Sequence, residues 1–503
     1  MTSASGPVVV VGDALLDRDL TGTVERLCPD APVPVVDCPV DVPRPGGAGL
    51  AALLAAADGR HVVLVTALAR DGPGRELAAL LQAAGVEVVD LGLDGTTPEK
   101  VRVRSQGRSL LRLDRGGAPG AVGRLTDGAR EVLARAGAML VADYGRGVCS
   151  APDVRAELAA SVARRTPVVW DPHPRGTEPV PGVTLATPNS GEAEQFAPGH
   201  RGAALTATTA RARELLDRWR ATAVVVTLSG RGALLVSGAG PPAVVPAPVV
   251  PCPDPCGAGD RFASAAAGLL ADGALPSEAV AGAVAAASAF VAAGGAASVR
   301  VGRGSLRTAG WLPAGGPAAA QVPAADPSPA ADPDAAAVVA RVRATGGTVV
   351  ATGGCFDLLH AGHVALLSRA RALGECLVVL LNSDASVARL KGPTRPLQTQ
   401  QDRAAVLSAL GCVDAVLVFD EDTPVAALTG LRPDIWAKGG DYALTDLPEA
   451  PVVAGWGGQA VVLPYVAGRS TTALITTAGR TTAARLTAPA RHTTVATEAL
   501  PHA

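Results

Sequence analysis

The chain has 503 residues, more than the roughly 100 to 200 of a single domain, so two or three domains are expected. Hydrophobic residues make up 48% and charged residues 18%, which supports packed cores and excludes a mainly disordered chain. The 44 basic and 46 acidic residues give a net charge of -2, so there is no broad basic face for a nucleic-acid backbone. Small molecules are therefore the expected partners, and nucleic acid is not.

The cysteines and the apolar segments indicate a cytoplasmic protein with no membrane partner. The eight cysteines form no C-x-x-C pair and no Cys/His array with zinc spacing, and we interpret them as reduced thiols. The N-terminus lacks the basic segment and long apolar run of a secretory signal. Residues 279–299 are uncharged but are mostly Ala, Gly and Ser, which favours a buried helix over a membrane span.

From residue 8 to about 307, β-branched runs alternate with Ala/Leu/Arg stretches of helical period, which predicts an α/β domain with a largely parallel sheet. The predicted strands include 8–11, 62–67, 139–142, 168–170 and 223–228. Residues 312–334 are rich in Pro, Ala, Gly and Asp without apolar periodicity, which predicts a linker.

A second α/β run begins at Thr348 and fades after about residue 475, and its length suits one small doubly wound sheet. We therefore predict a first domain over 1–312, a Pro/Ala-rich linker over 313–335, a second domain over 336–478 and a disordered tail over 479–503. Each domain is expected to have its own core.

Near the end of the first domain, Gly257, Ala258 and Gly259 precede Asp260 and a helical stretch. Glycines permit a tight turn whose amide N–H groups, with the helix N-terminus, can face negative charge developing on a phosphoryl group. A carboxylate placed there can accept a proton from an attacking sugar hydroxyl. Taken alone, the same residues also fit a Gly-rich helix cap.

Asp13 ends the first predicted strand, and Gly46 and Gly47 follow later in the chain. An Asp at a strand end can hold vicinal sugar hydroxyls, and paired glycines let the backbone approach a sugar ring. Each feature by itself would also fit an ordinary turn.

Together these residues resemble the ribokinase-like carbohydrate kinases in order and spacing, over essentially the whole first domain. The resemblance implies that Asp260 is the catalytic base, that 257–259 form the anion hole, and that Asp13, Gly46 and Gly47 contact the sugar. Residues 187–192 resemble the family's P-N-x-x-E element, and 227–232 occupy the place of its nucleotide-edge loop. The implied nucleotide contacts are Asn189, Glu192, Thr227, Ser229 and Gly230, with Glu192 acting indirectly on the Mg²⁺ that accompanies ATP.

The resemblance is closer to one branch, the D-glycero-β-D-manno-heptose 7-phosphate kinases, and it rests on residues 12–37, 100–104, 111–114 and 142–147. The basic residues Lys100 and Arg102 would suit a substrate phosphate, although they would equally decorate an exposed hairpin. Leu50, Cys256 and His173 stand where this branch usually has Asn, Thr and Lys. These departures leave the exact sugar open.

In the second domain, residues 352–363 read TGGCFDLLHAGH after a β-branched strand. His360 and His363 are three residues apart at a predicted helix start, so both lie on one face beside the positive end of the helix dipole. That arrangement suits a triphosphate whose α-phosphorus is attacked while pyrophosphate leaves. The pair could instead bind a metal or cap the helix, but no third ligand lies nearby in the sequence.

This motif resembles the H-x-G-H signature of the nucleotidylyltransferases related to class I aminoacyl-tRNA synthetases. The resemblance implies an α/β chain in which the ribokinase-like domain is followed by a smaller, Rossmann-like, doubly wound nucleotidylyltransferase domain. It implies catalytic roles for His360, His363 and Lys391, the lysine as an electrostatic clamp on the transferring group. The implied nucleotide contacts are Gly354, Cys355, Phe356, Asp357, Lys438, Asp441, Ser470, Thr471 and Thr472. Gly353 departs from the family, which usually has Asn there.

The segments 382–386, 389–392 and 438–442 favour heptose 1-phosphate adenylyltransferases over glycerol-phosphate or ethanolamine-phosphate cytidylyltransferases. Both halves in this order resemble the bifunctional heptose kinase/adenylyltransferases of ADP-heptose biosynthesis. The implied reactions are phosphorylation of D-glycero-β-D-manno-heptose 7-phosphate at O1 by ATP, and adenylyl transfer from ATP to heptose 1-phosphate with release of pyrophosphate. A separate phosphatase must act between them. Exposed sheet edges in ribokinase-like folds also predict a homo-oligomer, most simply a dimer.

Two alternatives stay open. One is a related sugar kinase fused to a cytidylyltransferase. The other is a nucleotide-sugar-binding regulatory protein with a degenerate kinase half, which Leu50, Cys256 and His173 would explain. The sequence also leaves open whether ADP-heptose would feed an envelope glycan or a natural product.

Overall fold

The computed structural model describes residues 6–106, 108–116, 119–201, 204–252, 254–299, 301–302, 305–306, 334–440 and 447–464. The strands described in the first half are β1 (Val8–Gly12), β2 (Ala14–Leu27), β3 (Pro34–Gly47), β4 (Val62–Thr66), β5 (Glu87–Asp90), β6 (Glu99–Ser105), β7 (Arg108–Arg115), β8 (Ala138–Ala142), β9 (Val168–Asp171), β10 (Leu185–Ala186), β11 (Ala223–Thr227), β12 (Ala233–Val236), β13 (Ala243–Val245), β14 (Val301–Gly302) and β15 (Ser305–Leu306). Its helices are α1 (Ala48–Ala57), α2 (Gly72–Ala83), α3 (Asp127–Ala134), α4 (Pro152–Ala163), α5 (Ser190–Phe196), α6 (Ala204–Trp219), α7 (Ala258–Ala271) and α8 (Pro276–Ala292).

The second half is shorter and repeats the alternation of helix and strand. Its strands are β16 (Val349–Gly354), β17 (Cys376–Asn382), β18 (Ala415–Phe419), β19 (Ile435–Gly440) and β20 (Gln459–Pro464). Its helices are α9 (Ala335–Ala344), α10 (Ala361–Arg371), α11 (Asp384–Lys391), α12 (Gln400–Ser408), α13 (Val425–Leu431) and α14 (Ala450–Ala454). The predicted linker falls outside the described residues except at its end, where Asp334 caps α9, and the predicted tail falls wholly outside them.

The predicted strands of the first half are confirmed, with ends that differ by one residue. They are the parallel strands β1, β4, β8, β9 and β11 of the main sheet, in the order β5-β4-β1-β8-β9-β10-β11-β12-β13. Their runs of Val and Leu are buried on both faces, as parallel strands covered by helices require. Val9 and Val11 pack into the layer of α4 and α6, while Val8 and Val10 pack into the layer of α1 and α7.

A second sheet covers one end of the first half, in the order β3-β2-β6-β7. We call it the lid sheet. Its strands β2 and β6 run parallel, with Asp17 opposite Lys100 and Asp19 opposite Arg102. Strand β3 ends at the paired glycines and leads directly into α1. The lid sheet therefore carries charged side chains and the glycine pair to the same end of the main sheet.

The expectation of separate cores holds for part of the interior only: one apolar cluster lies wholly in the second half, and another contains buried residues of both halves. The second half forms a parallel sheet of order β18-β17-β16-β19-β20, and β20 pairs with β13 of the first half, opposite Ala243 at Val462. Val462 N–H donates to Pro242 O at 3.1 Å, and Gln459 Nε2 donates to Thr209 Oγ1 at 2.5 Å. The two halves therefore share one continuous sheet.

The apolar segment 279–299 lies mostly in α8, where Ala279, Val280, Ala283 and Phe290 are buried, so the prediction of a buried helix is confirmed. Small side chains let α8 pack closely against α7. Within the described part of the chain, no helix combines the length and the apolar character needed to cross a membrane.

Candidate active sites

The first candidate site is built around the start of α7. Gly257 caps this helix with φ +81°, a conformation that favours glycine, and a Cβ there would lie 2.9 Å from Leu50 Cδ2. Ala258 N–H donates to Pro255 O at 3.1 Å. The N–H groups of Gly259 and Asp260 lie in the first helical turn, which provides no intrahelical acceptor for them. A helix start of this kind, with the positive end of the helix dipole, is suited to hold an anion.

The Asp260 carboxyl lies in the first turn of α7, where Tyr144 Oη donates to its Oδ1 at 2.7 Å. Loss of solvent raises the pKa of Asp260 to about 7, against the opposing effect of the Tyr144 hydroxyl. The negative charge of Asp17 adds to the rise and the Lys100 ammonium opposes it. A carboxyl that titrates near neutral pH is suited to accept a proton from a sugar hydroxyl.

Asp13 lies beyond the end of β1 and is buried. Its carboxylate accepts hydrogen bonds from the backbone N–H groups of Tyr144 at 3.1 Å, Arg146 at 2.8 Å and Val148 at 3.0 Å. Burial raises the pKa of Asp13, and these three backbone hydrogen bonds oppose the rise. Because a carboxylate offers about four lone-pair sites, Asp13 can hold this loop and still accept one sugar hydroxyl.

The lid sheet brings Lys100 and Arg102 close to these residues. Arg102 Nη1 lies 3.0 Å from Asp17 Oδ1, and its Nη2 lies 3.7 Å from Cys256 Sγ. Lys100 Nζ lies 5.4 Å from the centroid of the Tyr144 ring, and desolvation lowers the pKa of Lys100. Two cations from one strand therefore lie close to the residues around Asp260. Side chains that only decorated an exposed hairpin would not need to lie there.

The glycine pair lies against two of these side chains. A Cβ on Gly46 would lie 2.7 Å from Asp17 Oδ2, and a Cβ on Gly47, at φ +57°, would lie 3.3 Å from the Tyr144 ring. Only glycine leaves the backbone this close to both groups.

The predicted nucleotide residues of the first half lie together at the start of α5. Asn189 caps this helix and Glu192 Oε2 accepts from the Asn189 N–H at 2.8 Å, a capping box. Thr227 N–H donates to Pro188 O at 3.0 Å, which holds the end of β11 beside this cap, and Ser229 and Gly230 form the turn that follows. A cleft of about 400 Å³ adjoins them and is lined by His173, Pro174, Arg175, Asn189, Gly191, Glu192 and Gln195.

The donor set near this cleft fits Mg²⁺ held partly by ATP. Glu192 and Asp171, at the end of β9, are carboxyls close enough that the charge of Glu192 contributes, after desolvation, to a pKa of Asp171 raised well above its ordinary value. Among the described residues no three His, Cys, Asp or Glu side chains form a metal cluster. Mg²⁺ usually takes one or two carboxylates together with phosphates and waters, so an indirect role for Glu192 matches the residues present.

The second candidate site begins at His360, which caps α10. Its Nδ1 accepts from Gly362 N–H at 3.1 Å, so the neutral ring carries its proton on Nε2. The His363 ring stacks on it with centroids 3.9 Å apart, and Phe356 meets His363 edge-on at 5.3 Å. Desolvation lowers the pKa of His363 to about 4, and the charges of His360 and Lys391 act in the same direction. The structure therefore confirms that both histidines lie together at a helix start.

Arg403, which is buried, holds the loop after β16 through hydrogen bonds to the backbone. Its guanidinium donates to Cys355 O at 2.6 Å, Asn382 O at 2.9 Å and Asp384 Oδ1 at 2.7 Å. Gly354 ends β16, so this arginine ties the end of β16 to that of β17.

Asp357, a predicted nucleotide contact, is a buried anchor in this structure. Its carboxylate binds the Arg395 guanidinium and accepts from the N–H groups of Leu397 at 2.7 Å and Gln398 at 3.2 Å. These bonds hold the segment after α11 against the H-x-G-H loop.

The remaining predicted residues of this half lie at element ends. Lys391 is the exposed last residue of α11. Lys438 lies near the end of β19, with its Nζ 3.9 Å from Glu449 Oε1 and 5.2 Å from the centroid of the Trp436 ring. Asp441 and the segment Ser470, Thr471 and Thr472 lie outside the described residues.

Packing explains the residue type at two positions that depart from the family patterns. Leu50 is buried with Leu53 and Phe290 beside the Cys256 loop, so this position supports the anion site from behind. A Cβ on Gly353 would lie 2.7 Å from Trp436 Cη2, so the indole fills the space that a side chain at 353 would need.

Sequence reasoning assigned no role to Asp17, Tyr144, Asp171 and Arg403. Asp17 and Tyr144 lie within residues 12–37 and 142–147, which carry the resemblance to the heptose branch. Asp171, like Asp13, lies at the end of a strand, and this position could have marked it as a site residue. Arg403 had no such signal, because its importance comes from burial that the sequence does not display.

The chain matches two family models, the pfkB family carbohydrate kinases over residues 6–300 and the cytidylyltransferase-like proteins over residues 351–459. It is 57% identical to the bifunctional protein HldE of Streptomyces coelicolor over 93% of this chain and 96% of that protein. It is 40% identical to the HldE protein of Azorhizobium caulinodans, over 93% and 97%. Among solved structures, Arabidopsis thaliana ribokinase complexed with ribose and ATP is 22% identical, with a TM-score of 0.47, over 58% of this chain and 94% of that one.

The HldE proteins match nearly the whole chain, and the two family models match it in the same order as the two candidate sites. The chain thus belongs to the family of the bifunctional HldE proteins, heptose kinase/adenylyltransferases in which a pfkB-type kinase domain precedes a nucleotidyltransferase domain.

Proposed function

We propose that the first site phosphorylates D-glycero-β-D-manno-heptose 7-phosphate at O1, with Asp260 as the base. The sugar hydroxyl gives its proton to Asp260 as O1 attacks the γ-phosphorus of ATP, and the bond between that phosphorus and the ADP oxygen breaks. The amides at the start of α7 face the transferring phosphoryl group. Asp13 and the backbone of Gly46 and Gly47 orient the sugar.

Two cations and one cleft complete this site. Lys100 and Arg102 bind the 7-phosphate of the sugar, because both lie on β6 close to the residues around Asp260, whose charge acts on Lys100. Asn189, Glu192, Thr227, Ser229 and Gly230 hold the nucleotide. When bound with ATP, Mg²⁺ would neutralise charge on the β- and γ-phosphates, and Glu192 with Asn189 would hold it through water.

In the second site, His360 and His363 donate to the phosphates of ATP while a phosphate oxygen of heptose 1-phosphate attacks the α-phosphorus and pyrophosphate leaves. Lys391 stabilises the charge on the transferring adenylyl group. The proposed nucleotide contacts are Gly354, Cys355, Phe356 and Lys438, together with Asp441 and residues 470–472, which lie outside the described residues. Asp357 acts by holding the H-x-G-H loop.

One observation carries this proposal above the others. The carboxyl of Asp260, with its pKa raised to about 7, lies at a helix start suited to hold an anion and close to two cations of the lid sheet, Lys100 and Arg102. A degenerate binding protein would have no need for a carboxyl tuned to exchange protons at neutral pH.

The test is mass spectrometry of the products from the full chain with heptose 7-phosphate and either ATP or CTP. ATP alone should give the 1,7-bisphosphate, and addition of a bisphosphate phosphatase should then give ADP-heptose and pyrophosphate. CDP-heptose formed in preference to ADP-heptose would favour the cytidylyltransferase alternative. Absence of the bisphosphate under saturating Mg²⁺ and ATP would favour the regulatory protein.

We also propose that the chain works in the cytoplasm as a homodimer, with kinase and transferase domains divided near 312 and 336. Exposed apolar side chains on the lid strands, among them Val40, Leu110, Leu111 and Leu113, support self-association. Light scattering of the purified full chain would measure twice the monomer mass, and a monomer at micromolar concentration would exclude the dimer.

A further inference from the structure

We propose that Tyr144 is a positioning residue of the kinase site, which ties the sugar-binding carboxylate to the base and leaves one base oxygen for the sugar hydroxyl. This inference rests on the proposed role of Asp260. Tyr144 follows β8 within residues 142–147, a segment that marked the heptose branch in the sequence but received no chemical role.

The side chain and the backbone of Tyr144 hold different carboxylates. Its N–H donates to Asp13 Oδ2 at 3.1 Å, and its Oη donates to Asp260 Oδ1 at 2.7 Å. One residue therefore sets the spacing between the group that orients the sugar and the group that takes its proton.

The Tyr144 ring is held on two sides. Lys100 Nζ lies over it, 5.4 Å from the ring centroid. The backbone of Gly47 also lies close to the ring, so close that a Cβ on this residue would be 3.3 Å from it. The ring also lies 6.2 Å from that of His173, tilted by 32°. Contacts from the lid sheet and from the loop after β9 thus fix the direction of the hydroxyl.

This geometry has a chemical consequence. With Oδ1 engaged by Tyr144, Oδ2 of Asp260 is the oxygen that accepts the O1 proton. Desolvation and the charge of Asp260 raise the pKa of Tyr144 well above its ordinary value, so its hydroxyl remains a donor at any pH of assay. A hydrogen bond to the charged form stabilises the carboxylate over the carboxylic acid. Tyr144 therefore extends the pH range in which the base is active.

Other charged groups act on the same carboxyl. Asp17 from β2 acts on it with negative charge and Lys100 from β6 with positive charge, and Asp171 from β9, a carboxyl whose own pKa is raised, lies near it. None of them is altered when the Tyr144 hydroxyl alone is removed, so Tyr144→Phe isolates the hydrogen bond.

The experiment measures kcat and KM for heptose 7-phosphate from pH 5.5 to 9.5 in the full chain. Tyr144→Phe should move the acid limb of kcat/KM up by about one pH unit, because a hydrogen bond to a charged group is lost, and for a base with a pKa of about 7 this shift lowers kcat/KM about fivefold at pH 7. Much of the lost rate should return at pH 9. The KM for ATP should stay unchanged, and adenylyl transfer by the same sample should show that the protein is folded.

The matched control is Thr177→Val, which removes a neighbouring hydroxyl that donates to Asp143 Oδ2 at 2.9 Å and not to the base. This variant should keep the wild-type acid limb. A Tyr144→Phe profile that is lowered equally at every pH, or is unchanged, would overturn the positioning role. Asp260→Asn separates the two proposals. Full kinase activity in that variant would refute the role of Asp260 as base. An inactive Asp260→Asn together with a normal Tyr144→Phe would refute only the role of Tyr144.

Discussion

The two active sites handle charge in opposite ways. In the kinase site, carboxyls dominate, and burial raises the pKa values of Asp13 and Asp171 as well as that of Asp260. In the nucleotidyltransferase site, cations and histidines dominate, and burial with neighbouring positive charge lowers the pKa of His363 to about 4. The difference follows from the chemistry: one site must remove a proton from a hydroxyl, while the other must receive an already ionised phosphate.

Both sites nevertheless use the same structural solution, a loop that leads from a strand of the continuous sheet into a helix N-terminus. In the kinase half the lid sheet adds a cover with Lys100 and Arg102. In the other half, the described residues show an internal scaffold instead, in which Arg403 and Asp357 hold the loop from within. The shared sheet through β13 and β20 raises the question of how independent the two sites are.

The largest expected effect separates the sites completely. Asp260→Asn should lower kinase turnover by about 10³-fold or more, because the amide cannot accept the O1 proton, while adenylyl transfer stays within about twofold. His363→Ala should do the reverse, through loss of a donor to the phosphates. Both activities are measured on the same protein by product mass spectrometry.

Each variant is the control for the other. If either one silenced both activities while the protein kept its thermal unfolding midpoint, the joined sheet would couple the sites, and the comparison of two independent centres would be wrong.

The second prediction is that the two activities differ in pH dependence. Asp260 must be ionised to accept a proton, so kinase kcat/KM should fall about tenfold per pH unit below its pKa of about 7. His363 stays neutral above about pH 4, so its titration should add no limb to adenylyl transfer between pH 6 and 8.5. Parallel pH profiles of both activities would be the test, and matching acid limbs would contradict the opposite charge environments.

A third, smaller effect concerns Leu50. Leu50→Asn would bury an amide among Leu53 and Phe290, which should cost about 3 kcal/mol of unfolding free energy and weaken kinase activity through the Cys256 loop. Leu50→Met, which conserves volume, should cost less than about 1.5 kcal/mol. Denaturant unfolding measures both. An Asn variant of normal stability with tighter sugar binding would mean that this position faces the sugar.

The smallest effect is expected at Gly353. Gly353→Ala places a Cβ against Trp436, which should cost about 1 to 3 kcal/mol and lower adenylyl transfer while kinase activity is kept. Combining it with Trp436→Phe, which replaces the indole by a single, shorter ring, should recover part of that loss in a double-mutant cycle. Additive costs with no recovery would show that the indole does not exclude a side chain at 353.

The sequence alone determined the elements and much of the chemistry. Continuous Val and Leu runs predicted β1, β4, β8, β9 and β11, because strands buried on both faces carry an apolar signal that needs no partner to be seen. The residues of the H-x-G-H loop and the G-A-G-D turn were identifiable for a related reason, since local backbone geometry dictates glycine and a cap at fixed offsets.

Only the tertiary structure decided what those residues touch. It placed Tyr144 between Asp13 and Asp260 and showed that Asp357 anchors the segment after α11. It also showed that Leu50 packs against Gly257 and that Gly353 packs against Trp436. It also joined β20 to β13 across more than two hundred residues of chain. Contacts between residues so far apart in the chain depend on which faces the sheet brings together. The pKa shifts depend on how deeply each group is then buried. Neither can be read from one segment of the sequence.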